Sequence, residues 1–472
     1  MQALGLQLNN FLLFLKRITP SARQALKIEK NIVLGSIICL LLAFLVNKIF
    51  TITLNGIKPI IAYGVLVVTV HLLVFSISLT KYRDLAKAGK NLHQFKEEEL
   101  PLVSCMVAVH NEQDFVTECL DSIYGQTYEH IEVIVVNDCS TDSTRRVLRA
   151  YKKKHKDLKV INLKQNVGKK AALTEAMLTA KGTIFAHTDS DSVWDKDAIK
   201  RIVRIFMNNE DVGAISGHGR AKNGGENLIT KVQDSWMEGQ FSIRKAFESA
   251  YGAVTCVSGP LAAYRKEAVY NVLGAWRDDR FLGSEFRFAT DRTLTAMVLG
   301  STWIRGKILK KYAKTKFTRN IYEQRDWKVV YSRSARSQTI VPNTLKKFLK
   351  QQVRWKKSFV RNTFFNVPFF WRKPLPVAFI FYVHILFVVC APLVASRIFL
   401  DFQRDRYFPV VITYLVSVGI IGVMFALALR YQDKKTPYWY YRPLMSIFSA
   451  TVLSWIIIYS VLTIKKMTWS RD

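Results

Sequence analysis

Five apolar stretches, each of about 20 residues or more, constrain this chain of 472 residues more than any other feature. A helix of about 20 apolar residues is long enough to cross the hydrocarbon core of a bilayer. Two stretches precede a long polar region and three follow it: 31–50, 57–79, 376–400, 408–429 and 444–464. The sequence therefore predicts a membrane protein whose polar domain is inserted between groups of spanning helices.

The distribution of positive charge predicts how the chain is oriented in the membrane. Half of the residues are hydrophobic while the formal net charge is +33, a combination that is unusual for a soluble enzyme and typical of membrane proteins with cationic cytoplasmic flanks. The cations are spread along the chain without a nucleic-acid-binding module, which argues against a nucleic-acid partner. The basic segment 81–96 and an amphipathic helix expected over residues 1–30 place the N-terminus and the polar domain in the cytoplasm.

The polar region alternates between strand and helix patterns. Short β-rich runs at 102–109, 131–136, 160–163 and 183–187 are separated by segments with helical periodicity, which predicts an α/β domain with a mostly parallel sheet. Such sheets bind ligands at the carboxyl ends of their strands. Polar residues stand at these ends, among them Asn111, Glu112 and Asp138. Asp138 is well placed to accept a hydrogen bond from a base N–H group such as that of uracil.

Two further features suggest a diphosphate and a divalent metal. Lys169 and Lys170 open the helix that follows the third strand, where the helix N-terminus favours phosphate. Asp189 and Asp191 follow the fourth strand, and residues two apart in an extended segment point the same way. Their carboxylates suit Mg²⁺ or Mn²⁺ bridging two phosphates. A solvated turn is the alternative.

Two motifs further along the chain are candidates for a sugar pocket and for a general base. The segment 254–265 reads as a strand broken by Gly259-Pro260, and the backbone from Cys256 to Gly259 either lines a sugar pocket or makes an ordinary bend. Asp291 precedes a helical segment at 293–299. It is either the N-cap of that helix or a general base that takes the proton of an attacking hydroxyl.

The segment 351–361 lies where the polar domain meets the last apolar stretches. At helical spacing Gln351, Arg354 and Trp355 share one face, which offers an amide, a cation and a flat ring. Arginine binds phosphate oxygens bidentately, and an indole can stack on a sugar. The alternative is an amphipathic interfacial helix with lipid-facing cations. A second interfacial helix is expected at 364–371, interrupted by Pro368.

Taken in order, these motifs resemble those of the processive, membrane-embedded family 2 glycosyltransferases. The version found here looks most like the hyaluronan synthases, and next like chitin synthases and rhizobial chitin-oligosaccharide synthases. The motifs are Asn137-Asp138, Asp189-Ser190-Asp191, Ser258-Gly259-Pro260, Asp291-Arg292 and Gln351-x-x-Arg354-Trp355.

The resemblance implies a fold, a reaction and a set of roles. The fold is an α/β GT-A (Rossmann-like) catalytic domain inserted between transmembrane helices, with amphipathic interfacial helices. The reaction is an inverting displacement on a UDP-sugar with Mn²⁺ or Mg²⁺. Asp291 is then the catalytic base, and Asp189 and Asp191 are the metal ligands. The substrate-binding residues are Asn111, Glu112, Asp138, Lys169, Asp189, Cys256, Ser258, Gly259, Arg292, Gln351, Arg354 and Trp355.

Three departures from the hyaluronan synthase pattern stand out. Ala289-Thr290 replaces a Gly-Asp pair before Asp291, so one carboxylate is missing from the acceptor side. Asn137 replaces the first Asp of an Asp-Asp pair. The C-terminal Trp-Gly-Thr-Arg element is represented only by Trp469-Ser470-Arg471. A gating role for Trp469 competes with simple anchoring at the membrane surface.

We therefore predict four regions. Residues 1–80 hold the N-terminal helix and two spanning helices, 81–335 the cytoplasmic catalytic domain, 336–374 the interfacial helices, and 375–472 the C-terminal membrane region. Because an inside C-terminus conflicts with simple alternation, residues 436–464 are expected to re-enter or to cross in two parts. His384, within a spanning stretch, is either functional or bonded to a neighbouring helix.

The predicted activity is that of a plasma-membrane polymerase that extends a growing polysaccharide and extrudes it across the bilayer. UDP-N-acetylglucosamine and UDP-glucuronate are the first choice of donors. The alternatives are a chitin-like homopolymer made from UDP-N-acetylglucosamine alone, and a non-processive transfer to a lipid carrier. A single chain is sufficient for both site and channel, so a monomer is the simplest assembly.

Overall fold

The computed structural model describes residues 58–323, 325–405, 408–433 and 436–466. The chain divides into two compact units, Met1–Val67 and Val68–Asp472. The amphipathic helix predicted for residues 1–30, the first spanning stretch and Trp469 lie outside the described residues, so they stay predictions. The catalytic domain and the C-terminal helices belong to the second unit.

A mixed sheet forms the centre of the second unit. Its eight strands follow the order β3-β2-β1-β4-β7-β6-β10-β5, and the hairpin β8-β9 lies apart from it. Strands β3, β2, β1 and β4 are parallel, β7 is antiparallel to both β4 and β6, and β10 is parallel to β6. The bounds are β1 Val103–Val109, β2 Ile131–Asn137, β3 Lys159–Asn162, β4 Ile184–Thr188, β5 Ser192–Trp194, β6 Val212–Ala221, β7 Ala262–Arg265, β8 Arg280–Phe281, β9 Ser284–Glu285 and β10 Lys328–Thr339.

Helices cover both faces of this sheet and then lead into the membrane region. In chain order they are α1 Lys58–Thr80, α2 Val116–Tyr124, α3 Thr144–Lys154, α4 Lys169–Thr179, α5 Ala198–Asn208, α6 Leu228–Gly239, α7 Ala246–Ser249, α8 Lys266–Val269, α9 Leu273–Arg277, α10 Thr290–Leu299, α11 Ser301–Lys311, α12 Leu345–Phe370, α13 Leu375–Asp405, α14 Phe408–Gln432, α15 Arg442–Phe448 and α16 Ile456–Leu462. A π-helical segment, Gln240–Lys245, joins α6 to α7.

Alternation along the strands builds two apolar layers. In β1, Cys105 and Val107 face one core while Met106 faces the other, because successive side chains of a strand point to opposite faces. The layer around Met106 also contains Phe75 of α1 and Phe425 of α14. The predicted α/β domain is therefore confirmed, and helices of the membrane region pack directly on one of its cores.

The C-terminal region differs in part from expectation. Within the described ranges, two helices are long and apolar enough to cross a membrane, over Leu375–Ile398 and Tyr414–Gln432. The third predicted span is not a single straight helix, because Trp439–Leu453 and Ile456–Leu462 meet at an angle of 44°. This bend follows a π-helical segment at Ser449–Leu453, and it fits the prediction that residues 436–464 do not cross simply.

The interfacial region contains one continuous helix where two were predicted. Two interfacial helices separated near residue 360 were predicted, yet α12 runs unbroken from Leu345 to Phe370 with Pro368 inside its last turn. The ring of Pro368 removes one intrahelical hydrogen bond close to a helix end, so the helix continues through it. Segment 351–361 and the aromatic segment after it therefore belong to one continuous helix.

Candidate active site

Asp189 and Asp191 follow the buried strand β4, as predicted. Asp189 forms an ion pair with the ammonium group of Lys169 at the start of α4. Asp191 Oδ1 accepts a hydrogen bond from Thr339 Oγ1 at 3.2 Å, at the end of β10. Lys169, which is predicted to bind the diphosphate, therefore lies together with the two metal-ligand candidates at the carboxyl end of the parallel strands.

The donor set of this site suits a hard divalent cation. Among the described residues, no cluster of three or more His, Cys, Asp and Glu side chains has the spacing of a metal centre. Asp189 and Asp191 would supply two carboxylates, with the remaining ligands coming from phosphate oxygens and water. Mg²⁺ and Mn²⁺ are commonly held in this way, with one or two carboxylates and substrate phosphates.

Asp138 holds the loop that leads into α4. Its two carboxylate oxygens accept the backbone N–H groups of Val167 (2.7 Å) and Gly168 (2.8 Å). Gly168 has a φ of +83°, a conformation that glycine adopts without steric cost. Asp138 thus positions Lys169, and its predicted contact with a base stays a prediction.

Asn111 and Glu112 lie at the carboxyl end of β1, beside the loop that follows β2. The side chain of Asn111 accepts the backbone N–H of Thr141 at 2.8 Å, and the backbone N–H of Glu112 donates to Thr144 Oγ1 at 2.8 Å. Asn111 has a φ of +56°, which asparagine tolerates better than most residues. These contacts join the two loops that border the predicted nucleotide site.

Asp291 is held by the turn formed by Ser258, Gly259 and Pro260, here called the S-G-P turn. Its Oδ2 accepts the backbone N–H of Gly259 at 2.9 Å. Burial raises the pKa of the Asp291 carboxyl, and the negative charge of Asp189 raises it further. A raised pKa strengthens a carboxylate as a proton acceptor.

The structure corrects the predicted strand at this turn and excludes one of the two alternatives for Asp291. The strand expected over 254–265 exists only as β7, since residues 259–261 form a short 3₁₀ turn. Asp291 is not the helix N-cap, because α10 begins at Thr290 and Ala289 occupies the cap with a φ of +61°. Asp291 therefore lies in the first turn, where its charge suits the helix dipole.

Gly259 also lies against Asp189. A Cβ atom built on Gly259 would be 2.8 Å from Asp189 Oδ2 and 2.9 Å from Oδ1. At Gly259 the S-G-P turn thus leaves no room for a side chain beside the metal-ligand candidate, and its N–H group holds the candidate base. Gly259 therefore couples the metal-ligand candidate Asp189 to the candidate base Asp291.

Substituting Gly259 by alanine is expected to lower turnover by about 10²-fold, since misplacing a reacting group by about 1 Å has that effect. The added methyl group must displace the Asp189 carboxylate. Steady-state release of the nucleotide product would measure the change. The matched control is Gly306→Ala, because no described atom other than its chain neighbours and the local helix backbone lies within 4 Å of a Cβ built there. Equal activity of the two variants would contradict this coupling.

Lys245, which the sequence did not identify, lies beneath the same turn. Its buried ammonium donates to Ser216 Oγ (2.8 Å) and to Ser258 Oγ (2.5 Å). Burial lowers its pKa to about 8. Lys245 ends the π-helical segment, and such segments often occur at functional sites. Lys245 follows Arg244 in a segment without a recognisable motif, so the sequence carries no signal for this role.

Cys256, the remaining predicted pocket residue, precedes the S-G-P turn and is half-buried. Burial raises the pKa of its thiol, so the thiol stays protonated near neutral pH. Val257, beside it, donates its N–H to Thr295 Oγ1 of α10 at 2.9 Å. The segment is thereby tied to the helix that carries Asp291.

The predicted Gln351, Arg354 and Trp355 face lies on α12. Trp355 is exposed and stacks on Trp236 of α6, with ring centroids 5.3 Å apart and planes at 19°. In the described part of the chain the buried Gln351 Oε1 has no hydrogen-bond donor. Arg354, which lies between Gln351 and Trp355 in the sequence, is half-buried. The two-ring platform was not predicted, because Trp236 and Trp355 are distant in the sequence.

Three cations, Arg244, Arg292 and Lys356, form what we call the cation group. Burial lowers the pKa of Lys356 to about 8, and the charges of Arg292 and Arg244 lower it further. Arg244 Nη1 lies 2.9 Å from His384 Nε2 on α13 and forms an ion pair of 3.5 Å with Glu248. His384 is therefore bonded to a neighbouring helical segment, which was one of the two alternatives predicted for it.

A second charged cluster joins α4 to α12. Lys170 Nζ lies 2.7 Å from Asp279 Oδ2, and the Arg361 guanidinium binds the same carboxylate. All three side chains are buried. Phe286 accepts a further bond from Lys170 through its carbonyl oxygen at 2.7 Å. This triad fixes the interfacial helix to the helix that presents Lys169.

Comparison with known proteins agrees with this arrangement. Residues 104–273 match the family described as Glycosyl transferase family 2, and they include β1, α4, β4 and the S-G-P turn. These residues form a glycosyltransferase family 2 domain. Asp291 and the Gln351, Arg354 and Trp355 face lie beyond the matched residues.

Curated relatives extend over more of this glycosyltransferase. It is 27% identical to a hyaluronan synthase of Streptococcus pyogenes over an alignment of 454 positions that covers 93% of this chain and 97% of the relative. It is 31% identical to an N-acetylglucosaminyltransferase of Rhizobium meliloti over 272 residues, 57% of this chain and 58% of the relative. The predicted resemblance is confirmed.

Among solved structures, the glycosyltransferase resembles the mannosyltransferase PcManGT from Pyrobaculum calidifontis, determined in complex with GDP-Man and Mn²⁺. The TM-score is 0.54 at 19% identity, covering 84% of this chain and 95% of the other. At this identity the likeness concerns the fold, and the predicted GT-A fold is confirmed.

Proposed function

We propose that this glycosyltransferase is a processive, inverting polymerase that uses UDP-sugars and passes its product across the membrane. The observation that carries the proposal is the S-G-P turn, which contacts the diphosphate site at Asp189 and the base Asp291 through one residue, Gly259. A donor and an acceptor bound on the two sides of this turn would meet there.

In the proposed reaction the hydroxyl oxygen of the acceptor sugar attacks the anomeric carbon of the donor. The bond from that carbon to the diphosphate oxygen breaks, and UDP leaves with the electron pair. Asp291 takes the proton of the hydroxyl group. Lys169, which begins α4, binds the diphosphate near the helix N-terminus. Inversion follows from attack opposite the leaving group.

Asp189 and Asp191 would hold the divalent cation, Mn²⁺ or Mg²⁺. When bound, it would stabilise the negative charge of the diphosphate leaving group. The solved mannosyltransferase with Mn²⁺ supports this assignment for the shared fold. The other roles belong to the chain: Asp138 braces the loop before Lys169, and the Trp236–Trp355 platform orients the acceptor sugar.

The cation group favours a polymer that contains a uronic acid. Arg292 follows the base, and Lys356 follows Trp355, so both lie on the acceptor side. Glu248, which pairs with Arg244, also accepts the backbone N–H of Thr255 at 2.9 Å, so it offsets the three cations only in part. A neutral chain gives these cations no counter-charge, whereas a glucuronate carboxylate does. Hyaluronan is therefore our first choice of product.

A homopolymer of N-acetylglucosamine is the second candidate. The observation that favours it is the 31% identity to the rhizobial N-acetylglucosaminyltransferase. In either case we propose a plasma-membrane protein with several spans and a cytoplasmic catalytic domain. The two helices over Leu375–Ile398 and Tyr414–Gln432 support this location, and a single chain suffices for site and path.

The test is UDP release by the purified full chain in nanodiscs with Mn²⁺ or Mg²⁺. UDP-N-acetylglucosamine and UDP-glucuronate are supplied separately and together. We expect sustained release only with both donors, and a product that hyaluronidase cleaves. Sustained release with UDP-N-acetylglucosamine alone would instead establish the homopolymer.

A variant of the cation group sharpens this test. Lys356→Gln keeps the length and polarity of the side chain but removes its charge. We expect it to slow release with both donors and to leave single-donor hydrolysis unchanged. Lys346→Gln, on the exposed first turn of α12, is the matched control. A Lys356 variant as active as this control would refute the uronate assignment.

A further inference from the structure

Helix α11 exposes one aromatic and three cationic side chains on a single face. Trp303, Lys307, Lys310 and Lys311 are all exposed, and their spacing places them on one side of a helix. Arg305, on the opposite side, is buried and bonds the backbone carbonyl of Glu323 at 2.7 Å. The exposed face is therefore not required to hold the helix in the fold.

The first turn of α11 lies where the chain enters the apolar helix α13. The Arg372 guanidinium carbon is 4.5 Å from the centre of the Trp303 ring and 5.1 Å from that of Trp371. A Cβ built on Gly300 would lie 2.8 Å from the Phe369 ring, so the start of α11 fits closely against the end of α12. The span begins at Leu375.

The loop after α11 continues this surface. Lys314, Thr315, Lys316, Thr318 and Arg319 line a cavity of about 450 Å³. Lys316 forms an ion pair with Glu175 at 2.9 Å, whereas the sequence from residue 301 to 322 contains no acidic residue of its own. The surface is thus strongly cationic along its whole length.

We propose that the exposed face of α11 and the cavity after it form a docking surface for anionic lipid headgroups. Tryptophan is enriched at the boundary between headgroups and acyl chains, and Trp303 with Trp371 occupies that level beside the span. Lys307, Lys310 and Lys311 bind the lipid phosphates, and the cavity receives a phosphate group between Lys314 and Arg319. The occupant is the bilayer surface beside the span.

Such a surface orients the catalytic domain against the membrane without contributing to the chemistry. A juxtamembrane basic segment is attracted to anionic lipids through the negative surface potential of the leaflet. The proposal does not depend on the identity of the sugar or of the product. Its test therefore uses a readout other than activity.

The test is hydrogen exchange of the full chain in nanodiscs of phosphatidylcholine, alone or mixed with phosphatidylglycerol. We expect phosphatidylglycerol to shift exchange over residues 301–319 to longer times. Lys307→Gln, Lys310→Gln and Lys311→Gln together should abolish that shift. Unchanged exchange in β1 and β4 would show that this variant is folded.

The matched control removes the same charge elsewhere. Lys152, Lys153 and Lys154 are exposed at the end of α3, which packs against the edge strand β3, and their triple glutamine variant should keep the lipid-dependent shift. Equal exchange in the two bilayers would overturn the proposal. So would the same protection in pure phosphatidylcholine with inorganic phosphate, which would make the ligand a soluble phosphate.

Discussion

Replacing Asp291 by asparagine is expected to lower the turnover of UDP release about 10³-fold, within the range for loss of a general base. The amide oxygen of asparagine still accepts the Gly259 N–H, so the S-G-P turn keeps its geometry while the proton acceptor is lost. Steady-state UDP release by the purified chain measures the effect. Donor binding, followed by calorimetry, should remain as in the unmodified protein.

The control for this experiment is Asp211→Asn, which changes an exposed carboxylate paired with Lys328 at 2.5 Å. Its turnover should equal that of the unmodified chain. Retention of full turnover by the Asp291 variant would show that another group accepts the proton. Loss of donor binding together with turnover would instead place Asp291 in the donor site.

The second large effect concerns the divalent cation. Asp191→Asn is expected to lower turnover about 10³-fold, as loss of several kcal/mol of leaving-group stabilisation would do. An amide is a much weaker ligand for Mn²⁺ than a carboxylate. Removing the cation from the unmodified chain with EDTA should cause a similar loss, and added Mn²⁺ or Mg²⁺ should restore the rate.

Direct binding separates this role from a structural one. Electron paramagnetic resonance of Mn²⁺ in the presence of UDP should show one bound ion in the unmodified chain and none in the Asp191 variant. The Asp211→Asn protein should bind the ion normally. Activity that survives EDTA, or an Asp191 variant that still binds Mn²⁺, would rule out the assignment of Asp191.

The sequence predicted the part of the site that lies at strand ends. Asp189 and Asp138 follow apolar runs short enough to be only strands, and parallel strands bring their carboxyl ends to one edge. Spacing alone therefore located them. Asp291 was found through its motif, although its place inside the first turn of α10 was not predicted, because the left-handed cap at Ala289 has no local sequence signal.

The remainder depends on contacts between distant segments. Lys245 meets Ser216 and Ser258 only because a π-helical segment shifts the register of α6, and ordinary helical periodicity does not anticipate such a shift. The sequence did not single out Lys356 among the cations next to Trp355. Its burial near Arg292 and Arg244 became evident only when three separate elements had been assembled.

The buried triad of Lys170, Asp279 and Arg361 has a mechanical consequence. Separating one member of such a group leaves an uncompensated charge in the interior, which is strongly unfavourable. The donor-binding helix α4 and the interfacial helix α12 must therefore tilt together. In the proposed polymerase, a force exerted on α12 by the emerging chain would therefore be transmitted to α4, which begins with Lys169, through the Asp279 carboxylate.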